Sequence, residues 1–179
     1  MASHGSVGSV RCNRQGLDGT EMREQITPSD LWDLHSRGAW IVVPTNGSVR
    51  RDGCLVMGRG LAEQAARRYP GLQLRLGKIV ELHGNVVHIL YDYQLITFPV
   101  KHIWNQRADL DLIKESAQSL VRAVDIIEEV RLRIHDAVYL PRVGCGNGRL
   151  RWEHVKLVLE KHLDARFVVV DWQPLTRKE

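Results

Sequence analysis

The sequence predicts an α/β sandwich with a mixed central sheet, and three observations carry that prediction. Runs of apolar, mostly β-branched residues such as Trp40-Ile41-Val42-Val43-Pro44 and Phe167-Val168-Val169-Val170 read as strands buried on both faces. Between such runs lie segments whose apolar residues recur every three or four positions, the signature of amphipathic helices. The connections are mostly short, which favours strands and helices packed as alternating layers.

In order along the chain, Thr27 to His35 reads as a short helix. Pro28 suits a first turn, Ser29 or Thr27 can cap it, and Gly38 stops it. Trp40–Pro44 is the first buried strand, followed by a polar loop over 45–53. Gly58-Arg59-Gly60 then opens a helix over Leu61–Tyr69, which ends before Pro70-Gly71. Lys78–His83 and Val86–Tyr91 are expected to be two strands joined at a Gly84-Asn85 hairpin. Gln94–Val100 is a further strand, leading into a loop at Lys101-His102-Ile103-Trp104. From Asp109 to Arg133, Leu112, Ala117, Leu120, Val124, Ile127 and Val130 mark a long helix. A strand at Ala137–Pro141, a glycine loop at 144–148, a helix over Trp152–Leu163 and the closing strand complete the pattern.

Composition bounds the possibilities. The 179 residues are 44% hydrophobic and 26% charged, enough apolar material for one real core. Residues 1–24 are polar and rich in Gly, Ser and Arg, and are expected to be a flexible leader. The folded domain is expected over 25–173, with a short basic tail over 174–179. The N-terminal stretch has no apolar h-region, and no run approaches the roughly 18 apolar residues of a spanning helix. A membrane role is therefore not expected, and the cytoplasm is the expected setting. Three cysteines, Cys12, Cys54 and Cys145, are too few and too scattered for a disulfide framework or a zinc site. No metal and no cofactor are expected. A net charge of +4 with a pI near 9.1 permits an anionic ligand without demanding one.

The informative feature occurs twice. Val42-Val43-Pro44 leads through a loop into Met57-Gly58-Arg59-Gly60-Leu61-Ala62 and a helix. Leu140-Pro141-Arg142-Val143 leads into Gly144-Cys145-Gly146-Asn147-Gly148 and another helix. In open α/β sheets, ligands bind beyond the carboxyl ends of the strands. Glycine lets the backbone approach a ligand closely, and a helix N-terminus turns unpaired N–H groups toward an anion. Bonds of that kind contribute about 1.5–3 kcal/mol each. Either loop alone is more ordinarily a turn, and neither fits a standard fingerprint. Glu63 stands where a dinucleotide motif has its third glycine, and no Gly-Lys-Ser/Thr follows, which excludes a P-loop. Together, each after a buried strand and before a helix, the two loops point to a diphosphate held between them.

At these residues the chain resembles the macrodomain family, three-layer α/β/α modules that bind ADP-ribose. The likeness covers about residues 26 to 171. Pro44-Thr45-Asn46-Gly47 through Val56–Ala62 looks like the family's first ligand loop, and Leu140–Gly148 looks like its second. Met-Gly-x-Gly-Leu-Ala, Phe-Pro-x-Lys and Pro-x-x-Gly-Cys-Gly followed by Leu-x-Trp resemble one branch. That branch contains terminal ADP-ribose protein glycohydrolases and antitoxin macrodomains that strip ADP-ribose from DNA.

The resemblance implies roles for particular residues. Asp30 is implied to accept a hydrogen bond from the adenine amino group, although a carboxylate there also suits a helix start. Asn46, beside Thr45, is implied to lie against the distal ribose. Met57, Gly58, Arg59, Gly60 and Leu61 are implied to line the diphosphate and ribose from one side. Gly144, Cys145, Gly146, Asn147 and Gly148, with Val143 before them, are implied to bind it from the other side through backbone N–H groups, with Cys145 present for its small size and not as a nucleophile. Lys101 is implied to be catalytic. Its amine could attack the anomeric carbon of the distal ribose, or its ammonium could stabilise the leaving group or phosphates while water attacks. An exposed loop lysine without this context would simply be solvated.

One position departs from part of the branch. Some of its glycohydrolases carry an acidic residue where this chain has Gly148, whereas the DNA-directed pattern reads Gly-Cys-Gly-Asn-Gly as here. No carboxylate pair for a two-acid glycosidase mechanism is evident in the loop. The expected function is release of mono-ADP-ribose from protein or DNA by a monomer. The alternatives are a non-catalytic ADP-ribose reader or sensor, an ADP-ribose 1″-phosphate phosphatase, and a nucleic-acid scaffold indifferent to ADP-ribose. His83, His88 and His102 lack metal spacing. Trp104 could stack on adenine or a flanking base, though a core or loop wedge is the plainer expectation. Trp152 and Trp172 are expected to pack, and Arg50-Arg51 and Arg67-Arg68 to be solvated.

Overall fold

The computed structural model describes residues 20–27, 30–130, 132, 134 and 137–172. Its elements are β1 (Arg23–Thr27), α1 (Leu31–Ser36), β2 (Trp40–Asn46), α2 (Gly60–Arg68), α3 (Leu72–His83), β3 (Ile89–Leu90), β4 (Leu95–Lys101), α4 (Leu110–Glu129), β5 (Val138–Pro141), α5 (Trp152–Glu160) and β6 (Phe167–Trp172). The strands form one mixed sheet in the order β1-β6-β5-β2-β4-β3. All neighbours pair in parallel except β3, which runs antiparallel to β4.

Alternation along the strands feeds two separate cores. Trp40 and Val42 of β2 join Phe98, Leu140, Phe167 and the inner face of α4, where Ile113, Ala117, Leu120 and Val124 are buried. Ile41 and Val43 point the other way, into a cluster with Leu31, Trp32, Leu55, Met57, Ala65, Leu72 and Leu76. The sheet is thus covered on both faces, which is why its strands read as continuous apolar runs.

The topology places the working edge. From central β2, the chain's later strands lie on both sides, with β4 to one flank and β5 to the other. Because β2, β4 and β5 are parallel, Asn46, Lys101 and Pro141 leave the sheet at the same edge. This is a switch point, where the crevice beyond the strand ends opens.

Several expectations change. Lys78–His83 is not a strand but the second half of α3. Leu72 and Leu76 are buried and Ile79 and Val80 half-buried, a helical spacing that the short β-branched run disguised. Gly84, read as half of a hairpin, is the C-cap of α3. It has φ 87°, and its N–H bonds to Val80 O. The expected strand over Val86–Tyr91 shrinks to Ile89–Leu90. β1 takes in Arg23 and Glu24, so order begins inside the expected leader, and Met22 is already buried. α1 starts later than expected and is capped by Asp30, whose Oδ1 accepts from Asp33 N at 2.9 Å. α4 spans Leu110–Glu129 with Asp109 as its N-cap, shorter at the C-terminus than the expected 109–133. Residues 1–19 of the expected leader, Cys12 among them, with Pro28, Ser29, the tail over 174–179 and the side chain of Trp172, lie outside the described residues.

α3 also buttresses the first glycine loop. Leu55 N donates to Gln73 O at 2.9 Å, and a Cβ built on Gly77 would lie 1.8 Å from Gly53 O. Two backbones touch there with no side chain that can yield. Gly77→Ala is expected to destabilise the fold by at least about 3 kcal/mol through overpacking. A Tm lower by roughly 10 °C in thermal unfolding checks this.

Candidate functional site

A cleft of about 830 Å³ opens at the ends of β2, β4 and β5. Its walls are the two glycine loops, and its floor includes Pro44, Val100 and Lys101.

The first loop leaves β2 at Asn46, whose side chain organises the departure. Asn46 Oδ1 accepts from Ser48 N at 2.9 Å, and its Nδ2 donates to Val56 O at 2.8 Å. The chain makes a small excursion, closed by a bridge between Val49 and Leu55, and returns at Met57. Gly58-Arg59-Gly60 then delivers the open N-terminus of α2 to the cleft. No side chain caps it, so its first N–H groups face the cleft without intrahelical partners.

The second loop follows β5. Internal bonds from Cys145 N to Arg142 O, Arg149 N to Gly146 O and Leu150 N to Gly144 O pull it into a tight coil. Among the described residues, no hydrogen bond within the protein engages the N–H groups of Gly146, Asn147 and Gly148. The two loops face one another closely, since a Cβ built on Gly60 would lie 3.7 Å from Asn147 Nδ2.

Lys101 ends β4 between the loops and is only 9% exposed. It was expected in a loop; it is instead a strand residue whose stem is buried and whose amine enters the cleft. Nζ donates to Asn147 O at 2.8 Å and to Trp104 O at 3.3 Å. Burial lowers its pKa from the ordinary lysine value, and the nearby Arg149 and Arg59 charges lower it further. The strand end beneath it is pinned by Asn85, whose Nδ2 donates to Lys101 O at 2.9 Å. The sequence predicts Asn85 at a hairpin tip; it stands beside Lys101 instead because α3 is a helix that ends at Gly84.

Of the residues singled out from sequence, Thr45, Asn46, Met57, Gly58, Arg59, Gly60, Leu61, Lys101, Gly144, Gly146, Asn147 and Gly148 line this cleft. Val143 does not, because its side chain is fully buried in the core. Cys145 does not either. Its thiol turns back toward Val143 O, 3.4 Å away, and burial pushes its pKa up to about 11. Asp30 lies in a neighbouring pocket of about 320 Å³ with Trp32, Gln64 and Asp171. That pocket shares Leu61, Pro141 and Arg142 with the main cleft, so the two adjoin.

Other lining residues were not anticipated. Arg142 and Arg149 bracket the second loop and join Arg59 and Lys101 as cations of the cleft, while no Asp or Glu lines it among the described residues. Their position on either side of six loop residues was the available signal. Arg142 is held by Glu24 at 2.7 Å and Asp171 at 3.2 Å, and stacks over the Trp152 ring. Trp152 Nε1 also donates to Glu24, at 2.9 Å. Burial alone would raise the pKa of Glu24, but hydrogen bonds from Arg142 and Lys156 bring it below the usual value. Trp104 is no core wedge: it lines the cleft and is 52% exposed. Arg68 is exposed, as expected, and in addition stacks on Trp32 with its guanidinium 4.5 Å from the ring.

No protein-family model matches the sequence. Among curated proteins, it is similar to the DNA ADP-ribosyl glycohydrolase of Thermus aquaticus, with 30% identity over 129 residues, 65% of this chain and 33% of that protein. The DNA ADP-ribosyl glycohydrolase of Mycobacterium tuberculosis is 28% identical over 134 residues, 68% of this chain and 36% of that protein. The chain thus spans about a third of the length of these curated relatives. Among solved structures, the macrodomain of Mycobacterium tuberculosis DarG matches with a TM-score of 0.61 and 26% identity, over 84% of this chain and 99% of that one. The macrodomain of Thermus aquaticus DarG matches with a TM-score of 0.57 and 23% identity, over 86% and 99%. The fold, with its paired glycine loops around one cleft, is that of a macrodomain. Within that class the likeness runs to the DarG branch, as the Met-Gly-x-Gly-Leu-Ala and Gly-Cys-Gly-Asn-Gly segments imply.

Proposed function

We infer that the cleft binds ADP-ribose and that the protein releases mono-ADP-ribose from a modified macromolecule. One observation carries this reading. Unengaged N–H groups of two facing loops flank a lysine amine held 2.8 Å from Asn147 O. A pyrophosphate between the loops would accept from Gly146, Asn147 and Gly148 on one side and from the start of α2 on the other, with Arg59 adding charge. The adenosine would extend past Leu61 and Arg142 toward Asp30, and the distal ribose would come to rest beside Lys101 and Asn46.

Lys101 has one nitrogen position left beyond its stem and its two carbonyl partners. In the ammonium form that position carries an N–H, able to stabilise a leaving group as the glycosidic bond breaks. In the amine form it carries a lone pair aimed at the same space. The names of the relatives, which specify DNA, favour a nucleic-acid substrate over a protein.

A second reading has its own support. Among the described residues, no carboxylate lines the cleft to activate water, which suits a module that binds ADP-ribose without turnover. Calorimetry with ADP-ribose is expected to show one site per chain, and no heat at saturating ligand would overturn both readings. Release of free ADP-ribose from modified oligonucleotides and proteins then separates them: release supports the hydrolase, and tight binding with no release supports the reader.

A further inference from the structure

We propose that the turn beside Lys101 is a platform for the nucleotide next to the modified one, so that the site reads a single-stranded nucleic acid beyond its ADP-ribosyl group. The base stacks on Trp104, and its phosphate pairs with Arg149. This rests on the function proposed above and adds a subsite to it.

The turn is built to hold one aromatic ring out in solvent. Gln106 N donates to Ile103 O at 3.1 Å, which places Trp104 and Asn105 at the apex. Three outside contacts brace it. Trp104 N donates to Ser48 Oγ at 3.0 Å, tying the apex to the first loop. Arg149 Nη2 donates to Asn105 O at 3.4 Å, tying it to the second. Lys101 Nζ donates to Trp104 O. With the main chain held from three sides, presenting the indole costs little further ordering on binding.

The ring itself is uncommitted. Trp104 is 52% exposed and Ile103 beside it 47% exposed. Among the described residues, the indole takes part in no ring pair, whereas Trp32 and Trp40 do. An exposed tryptophan on a braced turn exposes apolar area that only a flat partner can cover well.

Position and charge identify that partner. The carbonyl of Trp104 receives the lysine that lies at the proposed reacting carbon, so whatever group is attached to that carbon leaves the cleft past this turn. Arg149 stands on the same side and is exposed, with its Nη2 on Asn105 O of the turn. The nearest carboxylate along this segment, Asp109, is already engaged by His102 at 3.1 Å and by the start of α4. Each nucleotide supplies a flat base and one negative charge, which matches an open indole beside an exposed guanidinium that has no ion-pair partner among the described residues. A protein chain leading away from a modified side chain offers neither at a fixed spacing.

The test compares two substrates: a single-stranded ten-nucleotide DNA with one ADP-ribosylated base in its middle, and the same ADP-ribosylated nucleoside without neighbours. The wild type is expected to prefer the oligonucleotide in kcat/KM by about tenfold or more, the scale of one stacked base. Trp104→Ala removes most of that preference through KM, and Trp104→Phe restores much of it. An unchanged ratio in Trp104→Ala overturns the proposal, as does faster release from ADP-ribosylated protein than from the oligonucleotide. If the wild type releases nothing from either substrate, the hydrolase reading fails. The platform is then judged by fluorescence anisotropy of the labelled, still-modified oligonucleotide: weaker binding by Trp104→Ala supports it, and equal binding overturns it.

Discussion

Lys101→Ala is expected to lower kcat for ADP-ribose release by about a hundredfold or more, within the range of removing one positioned acid, base or charge from an active site. Affinity for free ADP-ribose should fall far less, because the main-chain donors of the two loops remain. Stopped single-turnover assays beside calorimetry check both halves. Equal release by the variant would remove Lys101 from the chemistry.

The pH profile then tells which form of the lysine works. Burial, with Arg149 and Arg59 nearby, holds the Lys101 pKa below its ordinary value. If the amine attacks, the rate rises as pH climbs through that lowered pKa and the lone pair appears. If the ammonium stabilises departing charge, the rate falls over the same interval as the proton is lost. Lys101→Arg separates the two at fixed pH, since guanidinium keeps its charge but does not become a nucleophile. Retained partial activity supports the charged role.

The second large effect is expected at Gly148. A Cβ there would lie 2.3 Å from Gly144 O, 2.7 Å from Gly144 C and 2.8 Å from the Ala108 Cβ. All three are backbone or rigid atoms, so the coil must open. Gly148→Ala should cost about a hundredfold or more in ADP-ribose affinity, equivalent to losing one or two charge-assisted N–H bonds at about 1.5–3 kcal/mol each. Calorimetry reads the loss. Gly146→Ala is the stability control, because a Cβ there meets nothing within 4 Å. Its Tm should match the wild type while that of Gly148→Ala falls. The same geometry bears on the acidic residue that some similar glycohydrolases carry at this place. Gly148→Asp would not add a catalytic carboxylate to this loop; it would disrupt it, and both affinity and any release should drop.

Much of the architecture was legible because its signals are local. Both-face burial wrote itself into β2 and β6 as continuous apolar runs, and α4 showed its buried stripe every three or four residues. The glycine loops were legible because close backbone approach leaves a mark in residue type. Where the reading failed, the signal was ambiguous or remote. Lys78–His83 is short, with β-branched neighbours, and only the burial of Leu72 and Leu76 against the first loop settles it as helix. Side-chain direction inside the second loop was not legible at all: Val143 and Cys145 turn theirs toward the core, because a coil that turns its amides outward must turn some side chains inward.

By itself, the sequence determined the layered α/β class, the order of most strands and helices, and the two loops able to bring amides near an anion. Each of those follows from residues close together in the chain. Only the tertiary structure decided that the loops face each other across one cleft and that Lys101 is buried and bonded between them. It also decided that Asn85, Arg149 and Trp104 stand beside it. Those placements come from parallel pairing, which brings the ends of β2, β4 and β5 to one edge although they are separated by tens of residues. No local preference encodes a meeting between Lys101 and Asn147, because the energy that holds it comes from burying the two apolar faces of the sheet.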